Sequence, residues 1–566
     1  MRSHLPLPLL RPLLAALVAL PLVACGGSPG PGPRTAQDVP AEGAPAPAGG
    51  QPAPPQGDVF AVKGTLKDEV IPLLKPVAFD PKAAAYPPAP IGLPPAPAAC
   101  EAFVKRAPVA APACADRESA LAALDGALGE ADAGKRDARL AGLEKCAGLE
   151  VGLVRALRAE TAPVECADVL HAPVLQAPPA GLGGEVAHVL LGQTVAARLA
   201  RTAQTPPKMS PPYEKKRVVE FTRGPLFTWI TEQARAIEDL GRLGVQLPFY
   251  ARGVVAVEAG MAYMRLVEAV RNAPLPDPMQ KDEEVRNLYY GALDQSLEPL
   301  KTRGRDAALL GLLELSSVGI LKDRRVEAAR ATLSRLYGGR RIDALDGLLV
   351  PPLPAAPPAS VEERLAAALP TFYAGRLLPP DAATRPGTLR AMLERGVPLP
   401  HRAALKQAEL GPQVRVLYAR ARLDLGRLYW RAVDFDQVVA LLHEWPHGVE
   451  RPAEGTLLLA LGLGLRNGPE NAAMMMLRAP LTALGLGDVT ALDWVARSRP
   501  ASPHAGVAAF DAAVIKQLAV PQGADAAYWR DVAARYREAK ALLGGAEAQA
   551  AEERAKAAEE TAKAIQ

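Results

Sequence analysis

The chain has 566 residues, of which 49% are hydrophobic and 22% are charged, so most of it can fold around an apolar core. Its net charge of +4 is small for this length, and no basic patch is interleaved with aromatic side chains, which argues against nucleic acid as a partner. Aromatic residues make up only 5%, while alanine and leucine dominate, a composition that favours helices packed through small side chains over β-sandwiches or barrels.

Residues 1–24 have the features of an export signal. Basic residues precede an apolar run that is too short, and too interrupted by prolines, to span a bilayer of about 30 Å as a permanent helix. The run ends Leu22-Val23-Ala24-Cys25, which resembles the lipobox of bacterial lipoproteins. The resemblance implies cleavage before Cys25, acylation of that residue with chains such as palmitate, and attachment to membrane lipid. Gly26 follows the cysteine, which by the sorting pattern of that family implies the outer membrane, with the body facing the periplasm. The alternative is an ordinary secretory signal with an incidental cysteine.

The next two segments are rich in proline. Residues 25–57 consist mostly of Pro, Gly, Ala and Gln without an apolar period, so we expect a disordered linker after the lipidated cysteine. Residues 58–99 are more apolar but still broken by prolines, as in the Tyr-Pro-Pro-Ala-Pro run at 86–90. We expect this second segment to be extended and to lie along the folded body.

Four cysteines besides Cys25 cluster in one stretch of the chain, at Cys100, Cys114, Cys146 and Cys166. An even, clustered set in an exported protein predicts two disulfides. Three pairings are possible, and the sequence does not distinguish between them. A zinc site would need short C-x₂₋₄-C pairs, which this set lacks.

From residue 100 onward, apolar residues recur at three- and four-residue spacing, and no convincing alternating strand pattern occurs. We therefore predict an all-α body. Proline and glycine breaks divide it into a Cys-containing helical region (100–204), a repeat-like helical region (213–349), a Pro-rich joint (350–360) and a further helical region (361–543). The remaining residues, 544–566, are mostly Ala, Glu, Lys and Arg, and we expect a solvated helical tail.

A period of 34 residues runs through the stretch from Leu423 to Pro480. Self-alignment at this offset pairs eight packing positions: Leu425 with Leu459, Gly426 with Ala460, Tyr429 with Leu463, and Val438 with Ala472. The Leu-Gly-x-x-Tyr at 425–429 resembles helix A of the tetratricopeptide (TPR) repeat. The resemblance implies helical hairpins stacked as an α-solenoid whose surface binds other proteins. The alternative is a generic all-α bundle with accidental periodicity.

The run His443-Glu444-Trp445-Pro446-His447 matches H-E-x-x-H, the zinc metallopeptidase signature. That chemistry needs two imidazoles on one helical face, with the glutamate as general base. Pro446 removes a helix hydrogen bond and disfavours helical angles at Trp445, so we expect His443 and His447 to point in different directions. We therefore disfavour a metal site here, and we expect no cofactor.

The S-x-x-K and Walker A motifs do not occur in the sequence, and its G-x-S-x-G match, at residues 26–30, lies in the Pro- and Gly-rich linker, where the strand-to-helix turn of that catalytic motif is not expected. The favoured hypothesis is a membrane-anchored, non-enzymatic scaffold that binds other cell-envelope proteins through its helical-repeat surface. Its setting would be a secretion, motility or envelope-assembly complex. The alternatives are a zinc metallopeptidase that uses residues 443–447 and a purely structural lipoprotein.

Overall fold

The computed structural model describes residues 86–110, 114–179, 182–336, 342–470, 486–498 and 502–565. Across these ranges the protein is all-α, which confirms the prediction, and extended pairing is limited to one isolated bridge between Ile320 and Gly396. None of the helices in these ranges is both long and apolar enough to cross a membrane. The predicted signal, Cys25, the linker and Ala472 lie outside the described residues.

The N-terminal half is organised around one long buried helix, α9. The helices of this half are α1 (Glu101–Lys105), α2 (Arg117–Leu128), α3 (Ala133–Leu143), α4 (Val151–Thr161), α5 (Ala167–Gln176), α6 (Gly184–Arg201), α7 (Lys215–Phe221), α8 (Phe227–Val245), α9 (Phe249–Arg271), α10 (Asp277–Lys281), α11 (Glu283–Ser296), α12 (Glu298–Val318) and α13 (Arg324–Leu336). Helix α9 packs against α6, α8, α12 and α13. Its glycines allow close approach: a Cβ on Gly260 would lie only 3.1 Å from the carbonyl oxygen of Gly304 in α12.

The C-terminal half has a more linear arrangement. Its helices are α14 (Val361–Ala368), α15 (Thr371–Leu377), α16 (Pro386–Met392), α17 (Leu399–Gln407), α18 (Pro412–Tyr429), α19 (Ala432–His443), α20 (Ala453–Leu465), α21 (Thr490–Ser498), α22 (Ala505–Leu518), α23 (Ala526–Leu542) and α24 (Gly545–Ile565). From α18 onward each of these helices contacts the next, and α18 also contacts α20. Nearest-neighbour packing of this kind is typical of stacked hairpins. Membership of the TPR family stays a prediction.

One hydrophobic core joins the two halves, because buried apolar side chains are continuous from Ala120 in α2 to Ala558 in α24. The C-terminal helix differs from the solvated tail that we expected. Its alanines 551, 555, 558 and 562 are buried against α23. The expectation considered only large apolar residues, whereas a stripe of alanines spaced by three and four also lets two helices pack closely.

Four cysteines form two disulfides, as predicted, and the structure supplies the pairing. Cys100 is bonded to Cys166, and Cys114 to Cys146, with Cα atoms 5.0 and 5.5 Å apart. Both separations lie within the usual range for disulfides. The first bond ties the start of α1 to the start of α5, and the second closes a loop around α2 and α3.

Residues 86–97 are non-helical and lie across the body. Arg198 of α6 stacks over the Tyr86 ring at 4.7 Å and donates hydrogen bonds to the carbonyl oxygens of Pro87 and Pro88 at 2.8 and 3.1 Å. The Tyr86 hydroxyl donates to buried Asp168 at 2.7 Å. We call residues 86–97 the proline strap.

Candidate functional site

The H-E-x-x-H residues do not share a helix. Helix α19 ends at His443, and Glu444 (φ −82°, ψ 85°) has already left helical geometry. The side chains of His443, Glu444 and His447 are all exposed to solvent. Within the part of the chain that the structure describes, His, Cys, Asp and Glu form no group of three or more that could hold a metal ion.

The described repeat positions are packing positions. Leu425, Gly426, Tyr429, Val438 and Ala460 are buried. Leu459 and Leu463 are half-buried and line a cavity of about 580 Å³ between α20 and α21.

Gly426 permits close contact between helices α18 and α19. An added Cβ would lie 2.5 Å from Cε1 of Phe435, whose ring is itself buried. Gly426→Ala is therefore expected to lower the free energy of unfolding by about 1–3 kcal/mol through overpacking. Urea denaturation measures this change.

The matched control is Gly291→Ala, because an added Cβ on that exposed glycine of α11 meets nothing within 4 Å. Gly291→Ala should stabilise the protein by about 0.5–1 kcal/mol, since alanine is the better helix former. A Gly426→Ala variant as stable as Gly291→Ala would contradict the packing described for α18 and α19.

Two cavities adjoin at the start of α9, and together we call them the Phe249 groove. The first, of about 530 Å³, lies between the N-termini of α6, α9 and α17, the end of α12, and α15. The second, of about 710 Å³, lies between the start of α9, the end of α12, the start of α19 and residues 466–470. Phe249 and Ser317 line both cavities.

Phe249 is unusual in both backbone and exposure. Its φ is 36°, a left-handed value that is rare and strained for a bulky residue. Its side chain is 54% exposed, and Leu399 and Val433 beside the same groove are 56% and 47% exposed. Strained backbone and clustered exposed apolar side chains both concentrate where proteins bind partners.

The two halves of the Phe249 groove differ in polarity. The first half is mainly apolar, with Phe372 and Leu399 among its walls. The second half carries charges of both signs on Arg431, Asp436, Arg466 and Glu470, together with a buried ion pair between Arg252 and Glu314 at 2.5 Å. This combination suits a peptide that has an apolar anchor next to charged residues.

The serine hydroxyls of the groove are already engaged. Ser316 donates to the carbonyl oxygen of Leu313 at 2.7 Å, and Ser317 donates to that of Glu314 at 2.6 Å. Such back-bonding to the helix points the hydroxyls away from an incoming ligand. Both hydroxyls are therefore already hydrogen-bonded within α12.

A buried polar network centred on Glu160 supports the floor of the groove. Its carboxylate accepts hydrogen bonds from the Tyr250 hydroxyl at 2.7 Å, the Gln193 amide at 2.7 Å and the Tyr373 hydroxyl at 3.2 Å. It also pairs with the Arg325 guanidinium at 2.7 Å. Burial alone would raise the pKa of Glu160, but the charge of Arg325 and the hydrogen bonds outweigh it and lower that pKa. Burial raises the pKa of Tyr250 well above its usual value, so the hydroxyl keeps its proton.

The aromatic side of this network lines the groove directly. The Tyr250 ring stacks on Phe372 with centroids 4.4 Å apart, and both residues belong to the first cavity. The network thus joins α4, α6, α9, α13 and α15 behind the wall of the first cavity.

His171 lies beside this network and is fully buried, with Nε2 2.9 Å from Oε1 of Gln193. Burial lowers its pKa to about 4 from 6.5. The unfolded chain therefore binds a proton that the folded one does not between pH 6.5 and 4, and stability is lost as the pH falls through that window. At pH 5 the loss attributable to His171 is about 2 kcal/mol.

The measurement is the free energy of unfolding at pH 7 and at pH 5 for the wild type and for His171→Gln. The wild type should lose about 2 kcal/mol more than the variant. The variant provides its own control, because the other histidines are common to both proteins. Equal losses of stability in the wild type and in His171→Gln would mean that His171 takes up its proton as readily in the folded protein as in the unfolded chain.

Comparison with known proteins returned no match among protein-family models, curated proteins or solved structures. The functional interpretation therefore depends on the residues and geometry described above.

Proposed function

We propose that this protein is a membrane-anchored lipoprotein that acts as a non-enzymatic protein–protein interaction scaffold of the cell envelope. The observation that carries the scaffold role is the Phe249 groove, where strained Phe249 is exposed beside two cavities. The anchor is supported by the lipobox-like sequence ending at Cys25. Two disulfides are in keeping with an oxidising compartment such as the periplasm.

The proposed occupant of the Phe249 groove is a segment of another envelope protein. Its apolar anchor would cover Phe249 and Leu399 in the first cavity, and its charged residues would meet Arg431 and Glu470 in the second. Apolar grooves between helices commonly receive an amphipathic helix or an extended peptide in this way. Exposed aromatic anchors contribute a large share of the binding energy in such contacts.

Site-specific photo-crosslinking tests the groove in the full-length protein. A photo-reactive phenylalanine at position 249 should crosslink to a defined segment of a partner, which mass spectrometry identifies. The same probe at position 288 is the control, because Leu288 is 63% exposed and lies on α11, away from the Phe249 groove.

A synthetic peptide of the crosslinked segment must then bind the purified protein. Phe249→Ala should weaken that binding about tenfold or more, whereas Leu288→Ala should leave it unchanged. The scaffold proposal would be contradicted if the peptide did not bind, or if Phe249→Ala and Leu288→Ala weakened its binding equally.

The anchor has an independent test. In cells that express the wild type, this protein should incorporate labelled palmitate. After fractionation, the protein should be found with the outer membrane. Cys25→Ala should abolish both labelling and retention, because several acyl chains supply the membrane affinity. Equal membrane retention without label would argue for an ordinary secretory signal or another mode of attachment.

A further inference from the structure

A buried group of charged and aromatic side chains lies behind the second cavity of the Phe249 groove. It consists of Arg402 from α17, Tyr418 and Arg422 from α18, Arg431, and Asp434 from α19, and we call it the arginine cluster. Asp434 is 0% exposed, Tyr418 is 1% exposed, and Arg422 and Arg402 are 5% and 7% exposed. Side chains of this kind are rarely buried unless their charges are compensated.

The charges of the arginine cluster do not balance. The carboxylate of Asp434 pairs with Arg422 at 2.7 Å and with Arg431 at 3.2 Å. Arg431 is partly exposed and lines the second cavity together with Asp436 and Glu470. The buried part of the cluster therefore holds two guanidinium groups, those of Arg402 and Arg422, against the one carboxylate of Asp434. This balance is that of the described residues.

Backbone carbonyls compensate only part of this excess. Arg402 donates to the carbonyl oxygen of Ser317, and Arg431 donates to that of Ser316 at 2.7 Å. Both carbonyls lie at the C-terminal end of α12, where the helix dipole is negative. A helix terminus supplies about half an elementary charge, which is less than the excess.

Several buried donors of the cluster have no hydrogen-bond partner. Those that also take no part in the ion pairs above are the Tyr418 hydroxyl, Nε of Arg402 and Nε of Arg422. Nη1 of Arg422 and the two carboxylate oxygens of Asp434 also lack a hydrogen-bond partner, but the ion pairs contact them. Burial, together with the neighbouring charge of Arg422, lowers the pKa of Arg402 to about 10. An unsatisfied buried donor costs about 1–3 kcal/mol, so three of them near an excess of positive charge call for an acceptor that carries negative charge.

We propose that the arginine cluster binds a small inorganic anion of the chloride class, held by the Tyr418 hydroxyl and the guanidinium groups of Arg402 and Arg422. The anion would accept hydrogen bonds from the unused donors and neutralise part of the excess charge. It would thereby join α17 to α18 directly behind the Phe249 groove. The proposal does not depend on what the groove binds.

Chloride titration of the purified full-length protein is the test. Thermal unfolding is followed at constant ionic strength while chloride replaces gluconate, an anion too large for a buried site. The midpoint for the wild type should rise by at least about 2 °C and then saturate, because a ligand that binds only the folded state stabilises it by mass action.

Two variants locate the effect. Tyr418→Phe removes one donor and keeps every charge, so half of the midpoint shift should require at least about fivefold more chloride. Arg402→Gln removes the unpaired cation and should abolish the chloride response. If Arg402→Gln does not fold, the titration of Tyr418→Phe still decides the matter.

The matched controls are Tyr290→Phe and Arg271→Gln. Arg271 lies over the Tyr290 ring at 4.8 Å, as Arg422 lies over Tyr418 at 5.8 Å, but Arg271 is balanced one-to-one by Asp294. Both controls should keep the chloride response of the wild type. A wild type that is indifferent to chloride, or a Tyr418→Phe variant that titrates like the wild type, would overturn the proposal and leave water as the occupant.

Discussion

Replacing Glu160 by glutamine is expected to lower the free energy of unfolding by about 3–5 kcal/mol. The Glu160 side chain is 6% exposed, and it is the partner of the buried Arg325 guanidinium. Glutamine keeps the size of the side chain but removes the charge that faces this cation, which keeps a longer ion pair with Asp323, at 3.4 Å, and a hydrogen bond to the neutral Tyr250 hydroxyl, at 3.2 Å. Guanidinium denaturation followed by circular dichroism measures the loss.

The control for this prediction is Glu238→Gln. Glu238 pairs with Arg242 at 3.1 Å on the exposed face of α8, where an ion pair contributes between 0 and about 1 kcal/mol. A loss below about 1 kcal/mol in Glu160→Gln as well would show that the buried network is not what holds α4, α9, α13 and α15 together.

The second large effect concerns the disulfide between Cys100 and Cys166. Replacing both cysteines by serine opens a loop of 66 residues and is expected to cost about 4 kcal/mol, mainly through the greater freedom of the unfolded chain. The midpoint of guanidinium denaturation should fall accordingly.

The other disulfide offers an internal comparison. Cys114 and Cys146 are separated by 32 residues, so the corresponding double serine variant should lose about 0.6 kcal/mol less. Midpoints that stay at the wild-type value in both variants would mean that neither bond restrains the unfolded chain in solution.

Local patterns predicted the helical architecture well. Three- and four-residue spacing indicated an all-α body, and turn residues such as Pro446 marked where helices stop. The cysteine count indicated two disulfides but not their pairing, because pairing depends on which segments meet in space. The alanine stripe of α24 was missed because alanine is a good helix former on any face, exposed or buried.

The candidate site was much harder to predict. Glu160 is bound by Gln193, Tyr250, Arg325 and Tyr373, which lie 33 to 213 residues further along the chain. A charged residue with such distant partners looks, in sequence, like any solvated one. Phe249 was missed for a related reason, since its exposure and left-handed backbone depend on how α6, α12 and α17 surround it. The adjacent aromatics Phe249-Tyr250 and Phe372-Tyr373, in a chain poor in aromatics, were the available signal.

The proline strap has a mechanical consequence for the membrane-anchored protein that we propose. Tyr86 is the first described residue of the chain, and a pull that reaches it would act on the contacts of its ring and hydroxyl with Arg198 and Asp168 and on the hydrogen bonds from Arg198 to the carbonyl oxygens of Pro87 and Pro88. The force is then shared with α5 and α6 before it reaches the covalent bond at Cys100. In the membrane-anchored protein that we propose, a pull from the anchor would load the contacts of Tyr86 first and the Cys100–Cys166 bond behind them.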